Sequence, residues 1–194
     1  MRESTFKRHL VKQARIERSH RVLDLGCGTA TLTILIKRLH PGAEVIGLDG
    51  DEEVLKIAQA KAAKAGVDIA LDHGMAFELP YSNSSFDRVL SSLVFHHLTR
   101  ENKRRTTKEV FRVLRPGGEL HVADFGKPNS ALMYLISLIV RRHQEALDNF
   151  KGLLPEIFRE VGFEQVEESA RYMTVFSTLS LYKARKPADR LPQV

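Results

Sequence analysis

Asp24, Gly26, Gly28 and Asp49 are the residues whose types and spacing invite chemistry. The run VLDLGCGTATLT, from Val22 to Thr33, reads as a short buried strand, a glycine turn and the start of a helix. Gly26 permits the tight turn, and Gly28 lets a ligand approach the backbone closely. Open α/β sheets bind ligands outside the carboxyl ends of their strands, which is where this loop falls. The dinucleotide pattern G-x-G-x-x-G fails, because Thr31 holds the third glycine position. Asp24 stands in the strand end just before the loop. A carboxylate there would repel a pyrophosphate and would suit a ligand that carries positive charge. The second block, VIGLDGDEEVL from Val45 to Leu55, ends a strand at Asp49. A carboxylate about twenty residues beyond the loop can accept hydrogen bonds from both hydroxyls of a ribose. Asp51, directly before Glu52 and Glu53, serves better as the helix cap, which leaves Asp49 for a ligand.

Those residues need a frame. Residues 4–18 have helical spacing at Phe6, Leu10 and Ala14. Strands are expected at 21–25, 44–48, 67–72, 86–93 and 119–124, with helices at 29–39, 51–64 and 100–114 between them. Pro41-Gly42, Gly66 and Pro116-Gly117-Gly118 are the stops, and Thr99 is a candidate N-cap. Residues 130–148 and 153–161 read as helices, the second stopped by Gly162, before strands at 163–168 and 175–183. This alternation implies crossovers and a mainly parallel α/β sheet. The connection between the last two strands is too short for a parallel crossover, so the last strand should run antiparallel.

The chain has 194 residues, 43% hydrophobic and 28% charged, which suits one globular domain rather than a disordered chain. Its single cysteine, Cys27, excludes an internal disulfide and fits a reducing, cytoplasmic setting. No apolar run reaches the roughly 20 residues of a membrane span, and the first twenty residues lack the apolar core of a secretory signal. No group of Cys, His and acidic residues has metal-ligand spacing, so no metal is expected.

S-adenosylmethionine, with an ammonium and a sulfonium, is a ligand that suits Asp24. The chain resembles the class I, seven-stranded S-adenosylmethionine-dependent methyltransferases, and within them it is similar to the ubiquinone/menaquinone-biosynthesis family. The resemblance runs from about residue 20 to residue 186. It rests on the two blocks above and on three more. These are LPYSNSSFDRVLSSLVFHHL, EVFRVLRPGGELHVADFGKP and GFEQVEESARYMTVFSTLSLYKARKP. It implies a three-layer α/β sandwich with strand order 3-2-1-4-5-7-6, strand 7 antiparallel. It implies one methyltransferase domain over residues 1–186, followed by a disordered tail at 187–194. It implies that Thr29 touches the methionine part of the cofactor, that Asp49, beside Gly50, holds the ribose, that Met75 and Ala76 flank the adenine, and that Ser92 lines the pocket. Asp24, Gly26, Cys27 and Gly28 complete the cofactor set, with Cys27 as a small packing residue. Met75 departs from the family, which usually has Asp there, and would cover the adenine by apolar contact. The stretch before the first strand is shorter than in close members, so a substrate lid must come from residues 1–18 and 127–150.

The acceptor is expected at the carboxyl edge of strands 4 and 5, near Ser92, His96 and the segment after Asp124. His96 and His97 follow strand 4, and either could act as a base, since histidine titrates near neutral pH; His96 is the candidate, with Lys127 as a second residue that could orient the acceptor. The apolar run Ala131–Val140 fits a wall of an apolar pocket, a helix buried on the sheet, or a homodimer contact. These features favour a small apolar or aromatic, quinone-like acceptor. Two other readings stand beside it. The net charge of +6 and the basic stretch at 100–115 suit an RNA-modifying enzyme, although aromatics are only 7% and Trp is absent. Met75 leaves open a cofactor-binding protein without catalysis. The basic first helix could also lie on an anionic membrane surface, but its position favours a lid.

Overall fold

The computed structural model describes residues 3–126, 152–173 and 178–188. Strand β1 (Arg21–Leu25) is buried along almost its whole length, as a central parallel strand covered on both faces must be. It pairs in parallel with β2 (Glu44–Asp49) on one side and β4 (Phe86–Ser92) on the other. Strand β3 (Ala70–His73) adds to β2, and β5 (Leu114–Phe125) adds to β4, both in parallel. Strands β6 (Glu164–Met173) and β7 (Thr178–Arg185) close the sheet, β7 running antiparallel to both β5 and β6. The order is β3-β2-β1-β4-β5-β7-β6, as the resemblance implied.

Helices cover both faces. Helix α1 (Glu3–Gln13) and α2 (Thr31–Leu39) bury Phe6, Leu10, Leu32 and Ile36 against Val22, Val45, Leu90 and Ala123. Helix α3 (Glu52–Ala65) joins that layer through Ala58 and Ala62 against Ala30 and Ile34 of the α2 segment. On the other face α4 (Arg100–Val113) and α5 (Leu154–Val161) bury Val110, Val113, Leu154 and Phe158 against Leu23, Leu25, Val89 and Val122. Alternation along β1 therefore turns Val22 and Asp24 toward α1 and α2, and Leu23 and Leu25 toward α4.

Local signals account for the boundaries. The Asp51 carboxylate accepts from the N–H groups of Glu53 and Val54, and the Thr99 hydroxyl accepts from that of Asn102, so both are N-caps as expected. Helix α1 stops at Gln13 rather than near residue 18. Its last turn tightens through bonds from Ala14 and Arg15 to carbonyls three residues back, and Arg15 takes a left-handed φ of 45°. Helix α2 starts at Thr31 rather than 29, because the turn extends through Ala30. Strand β3 is shorter than expected, and β5 runs back through Pro116-Gly117-Gly118 to Leu114. The helix expected at 130–148, the run Ala131–Val140, Lys127 and most of the tail after 187 lie outside the described residues.

Candidate active site

A cavity of about 470 Å³ opens beyond the carboxyl ends of β1, β2 and β4, within the range of roughly 300–1,000 Å³ usual for small-molecule sites. It is built on the turn after β1. The N–H groups of Gly26 and Cys27 both donate to the Leu48 carbonyl, at 2.8 and 3.0 Å, which ties the turn to β2. Gly26 has φ +69°, and a Cβ there would meet Val94 Cγ2 at 2.4 Å. Both backbone and packing thus require glycine. Gly28 has φ +53°, and a Cβ there would meet nothing within 4 Å. Its missing side chain leaves open space in the cavity wall.

Asp49 does two things at once. Its Oδ2 accepts from the Gly28 N–H at 2.8 Å, and its Oδ1 accepts from the Asp51 N–H at 3.1 Å. Each carboxylate oxygen has two lone pairs, so both keep capacity for a ligand hydroxyl. Ser92 lines the same cavity, and its Oγ is buried with no hydrogen-bond partner among the described residues. A buried polar atom without a partner is costly unless a ligand or water supplies one. The open space at Gly28, the spare acceptors of Asp49 and the orphaned Ser92 hydroxyl all fit a ligand with hydroxyls and an extended polar tail. Met75, 48% exposed, lies across Gly50, where a Cβ would come within 2.9 Å of its Sδ. Its thioether is placed to cover a flat ring.

Of the ten cofactor residues expected from sequence, nine line this cavity: Gly26, Cys27, Gly28, Thr29, Asp49, Gly50, Met75, Ala76 and Ser92. Asp24 does not. It is 1% exposed beneath the turn, where its Oδ2 accepts from the Thr33 hydroxyl at 2.6 Å. Burial pushes its pKa up to about 6, against the pull of Thr33 and Lys7. Asp24 can therefore act on a ligand through its field but not by contact. Cys27 is buried, and burial raises its thiol pKa, which suits a packing role over a nucleophilic one.

His96 also lies off the cavity wall, and His97 takes a place on it. His96 Nδ1 is 3.0 Å from Oδ1 of the fully buried Asp124. Its ring lies tilted against that of His97, with centroids 3.9 Å apart, and meets Phe125 edge-on at 4.6 Å. Leu93, with a left-handed φ of 61°, re-aims the chain between Ser92 and Val94 at this point. Sequence reasoning missed Lys7, Phe77, Leu93, Val94 and Leu98, which also line the cavity.

Comparisons with known proteins decide the family. A model described as "Methyltransferase domain" matches residues 22–118. The chain belongs to the class I S-adenosylmethionine-dependent methyltransferases. The demethylmenaquinone methyltransferase of Geobacillus kaustophilus is 30% identical over 192 residues, covering 84% of this chain and 81% of that one. That of Listeria monocytogenes serotype 4a is 29% identical over 184 residues, covering 83% and 77%. Among solved structures, the YcgJ protein from Bacillus subtilis superposes with a TM-score of 0.76 at 18% identity, covering 93% of this chain and 97% of that one. The [4+2]-cyclase SpnF gives a TM-score of 0.76 at 17% identity, covering 94% and 80%. A cyclase with this topology illustrates why such likeness speaks for the fold alone.

The basic stretch at 100–115 is largely occupied within the fold. Lys103 is buried and donates to the Leu98 carbonyl. Arg112 pairs with Glu109 and donates to the carbonyls of Leu79 and Tyr81. Arg104 pairs with Glu160, Arg115 with Asp87, and Arg105 lies over the Phe77 ring. No helix among the described residues is long and apolar enough to cross a membrane.

Proposed function

We propose that this methyltransferase, working as one domain over residues 1–186, alkylates a small hydroxylated aromatic acceptor of the quinone class in its reduced form. In this reading Asp49 holds the cofactor ribose, Met75 and Ala76 flank the adenine, and Gly26, Gly28 and Thr29 carry the methionine part. S-adenosylmethionine, when bound, supplies an electrophilic methyl group on a sulfonium. A quinone ring is electron-poor and a weak nucleophile toward such a carbon. Its hydroxylated form becomes a strong one once a hydroxyl proton leaves.

The observation that carries the acceptor reading is the His96–Asp124 pair. A neutral His96 donates Nδ1–H to the buried Asp124, which fixes the tautomer and leaves Nε2 as the free base. The hydroxyl proton would pass to Nε2, electron density would enter the ring, and the ring carbon would take the methyl group as the methyl–sulfonium bond breaks and leaves a neutral thioether. The ring carbon would then lose its hydrogen as a proton to water and become aromatic again. His96 lies outside the cavity wall, but its chain neighbours Val94, His97 and Leu98 line it, so in this reading the acceptor ring reaches His96 just past this largely apolar edge. The names of the relatives support a quinone-type ring. The internal partners of Arg104, Arg105, Arg112 and Arg115 favour a small-molecule acceptor over RNA.

Calorimetry with S-adenosylhomocysteine and NAD tests the cofactor half; NAD binding without S-adenosylhomocysteine binding would overturn it. A panel of hydroxylated naphthalenes and benzenes with labelled S-adenosylmethionine tests the other half. His96→Ala should lower turnover on the accepted compound by about 100-fold or more, with S-adenosylhomocysteine affinity little changed. Full activity in that variant would refute the base, and turnover on RNA alone would refute the acceptor class.

A further inference from the structure

The segment that would flank the base, residues 74–77 after β3, brings no polar side chain to the cavity it lines. Beyond Gly74 its side chains are the Met75 thioether, the Ala76 methyl and the Phe77 ring. The segment is well held. The Gly74 N–H donates to the Asp49 carbonyl at 3.0 Å, and the Met75 carbonyl accepts from the Glu78 N–H at 3.0 Å. Ala76 packs against the core cluster that contains Leu25 and Leu48. Phe77 borders the cavity while the Arg105 guanidinium lies over its ring, 4.9 Å from the centroid, which steadies that ring. Met75 stands at the rim instead, 48% exposed. Among the described residues Asp49 is the only carboxylate that lines the cavity, and both its oxygens already receive a backbone N–H.

Adenine offers a binding site two kinds of surface. Its faces are polarisable and suit a thioether and a phenyl ring. Its edge carries an exocyclic amino donor, and the side chains of residues 75–77 hold no oxygen or nitrogen to accept from it. An amino group sealed away without a partner would weaken binding. At a half-exposed rim, water serves it instead. We propose that this site grips the base by its faces and leaves the amino edge unread, so that Met75 makes it tolerant of cofactors substituted on the exocyclic nitrogen. The inference rests on the cofactor placement proposed above and concerns the base alone. A carboxylate at position 75 would behave differently. A site built to hydrogen-bond a ligand group rejects the analogue that lacks it, because its own polar atoms are then left unpaired. A thioether makes no such demand, and an open rim leaves room for added methyl groups.

The test compares S-adenosylhomocysteine with its 6-dimethylamino derivative, in which two methyl groups replace both amino hydrogens. Calorimetry on the full chain should give the two ligands affinities within about threefold of each other. Met75→Asp, at an exposed position that the fold tolerates, should separate them by about tenfold or more in favour of S-adenosylhomocysteine. Met75→Leu, which keeps an apolar face, should leave them equal. Phe77→Ala should weaken both by the same factor, about three- to tenfold. A wild-type chain that binds S-adenosylhomocysteine and rejects the derivative by more than tenfold would overturn the unread edge and leave the cofactor placement standing. Recovery of the derivative in His97→Ala would then assign the reading to His97, which also lines the cavity. Equal affinities in Met75→Asp would remove Met75 as the residue that decides. If the wild-type chain binds neither ligand, the cofactor placement fails and this inference with it.

Discussion

Asp24→Asn should make the cofactor-free protein more stable at neutral pH. Asp24 is 1% exposed, and burial raises its pKa to about 6 from an ordinary value of about 4. The folded chain thus binds this proton more tightly than the unfolded chain. Stability carried by the neutral form is present below about pH 4 and is lost as pH rises through about 6. Each pH unit between those values is worth about 1.4 kcal/mol, so at pH 7 the buried charge costs the fold about 3 kcal/mol. Attraction to Lys7 and the Thr33 hydrogen bond are already contained in that figure, because both act on the same ionisation. Asparagine keeps an oxygen to accept from Thr33 and carries no charge. For a chain of this size a gain of about 3 kcal/mol raises the unfolding midpoint by about 6–12 °C. The assay is thermal and urea unfolding of wild type and variant from pH 5 to pH 8. The stability gap should favour the variant and widen by about 1 kcal/mol between pH 5 and pH 7, then level off. A variant no more stable than wild type at pH 7, or a gap that ignores pH, would refute the argument. The variant should also bind S-adenosylmethionine less tightly, and lose less affinity for S-adenosylhomocysteine, which lacks the sulfonium charge. That pattern would explain why a destabilising carboxylate stands under the turn.

Gly26→Ala and Gly28→Ala should behave differently although both residues have positive φ. The first drives a methyl into Val94 and should cost stability by about 2 kcal/mol or more; the second meets open space, so it should cost about 1 kcal/mol in stability and fall mainly on S-adenosylhomocysteine affinity. Equal stability losses in two unfolding curves would contradict the packing argument. Ser92→Ala removes a buried hydroxyl that has no partner among the described residues, so unfolding stability should hold or rise while calorimetry shows weaker S-adenosylhomocysteine binding, by about 1 kcal/mol. A drop in stability with unchanged affinity would place the hydroxyl in the fold rather than the site. Arg112→Ala should lower stability by about 1–3 kcal/mol, because it leaves Glu109 and the carbonyls of Leu79 and Tyr81 short of a donor, and should leave ligand affinity alone. Loss of RNA binding with intact stability would instead revive a nucleic-acid role for α4.

The glycine turn and Asp49 were legible because backbone geometry and strand ends leave a mark in sequence. A tight turn at positive φ calls for glycine, and a carboxylate that ends the next strand opens onto the same crevice. The sheet order came from resemblance, while the antiparallel β7 followed from chain length between strands. The face that Asp24 would take was not legible. Strand β1 is apolar on both faces, so its pattern carries no alternation to separate a ligand-facing side from a helix-facing one. The end of α1 was misread because the apolar spacing of Phe6 and Leu10 continues to Ala14, which is buried although the helix has already turned off at Gln13. His96 and His97 could not be told apart either, since a single 3₁₀ turn at Phe95–His97 decides which ring meets the cavity and which meets Asp124.

Lys7 was hidden for the opposite reason. It sits among six basic residues in the first eighteen, and composition alone files it with a solvated face. Only helical spacing separates it, because positions 6, 7, 10 and 11 share one side of α1 while 8 and 12 share another. Here the stripe around it packs on β4 and β5, and Lys7 itself lines the cavity. The sites that sequence reads well are those fixed by local backbone. Those it misses are side chains whose meaning depends on which strand their helix covers.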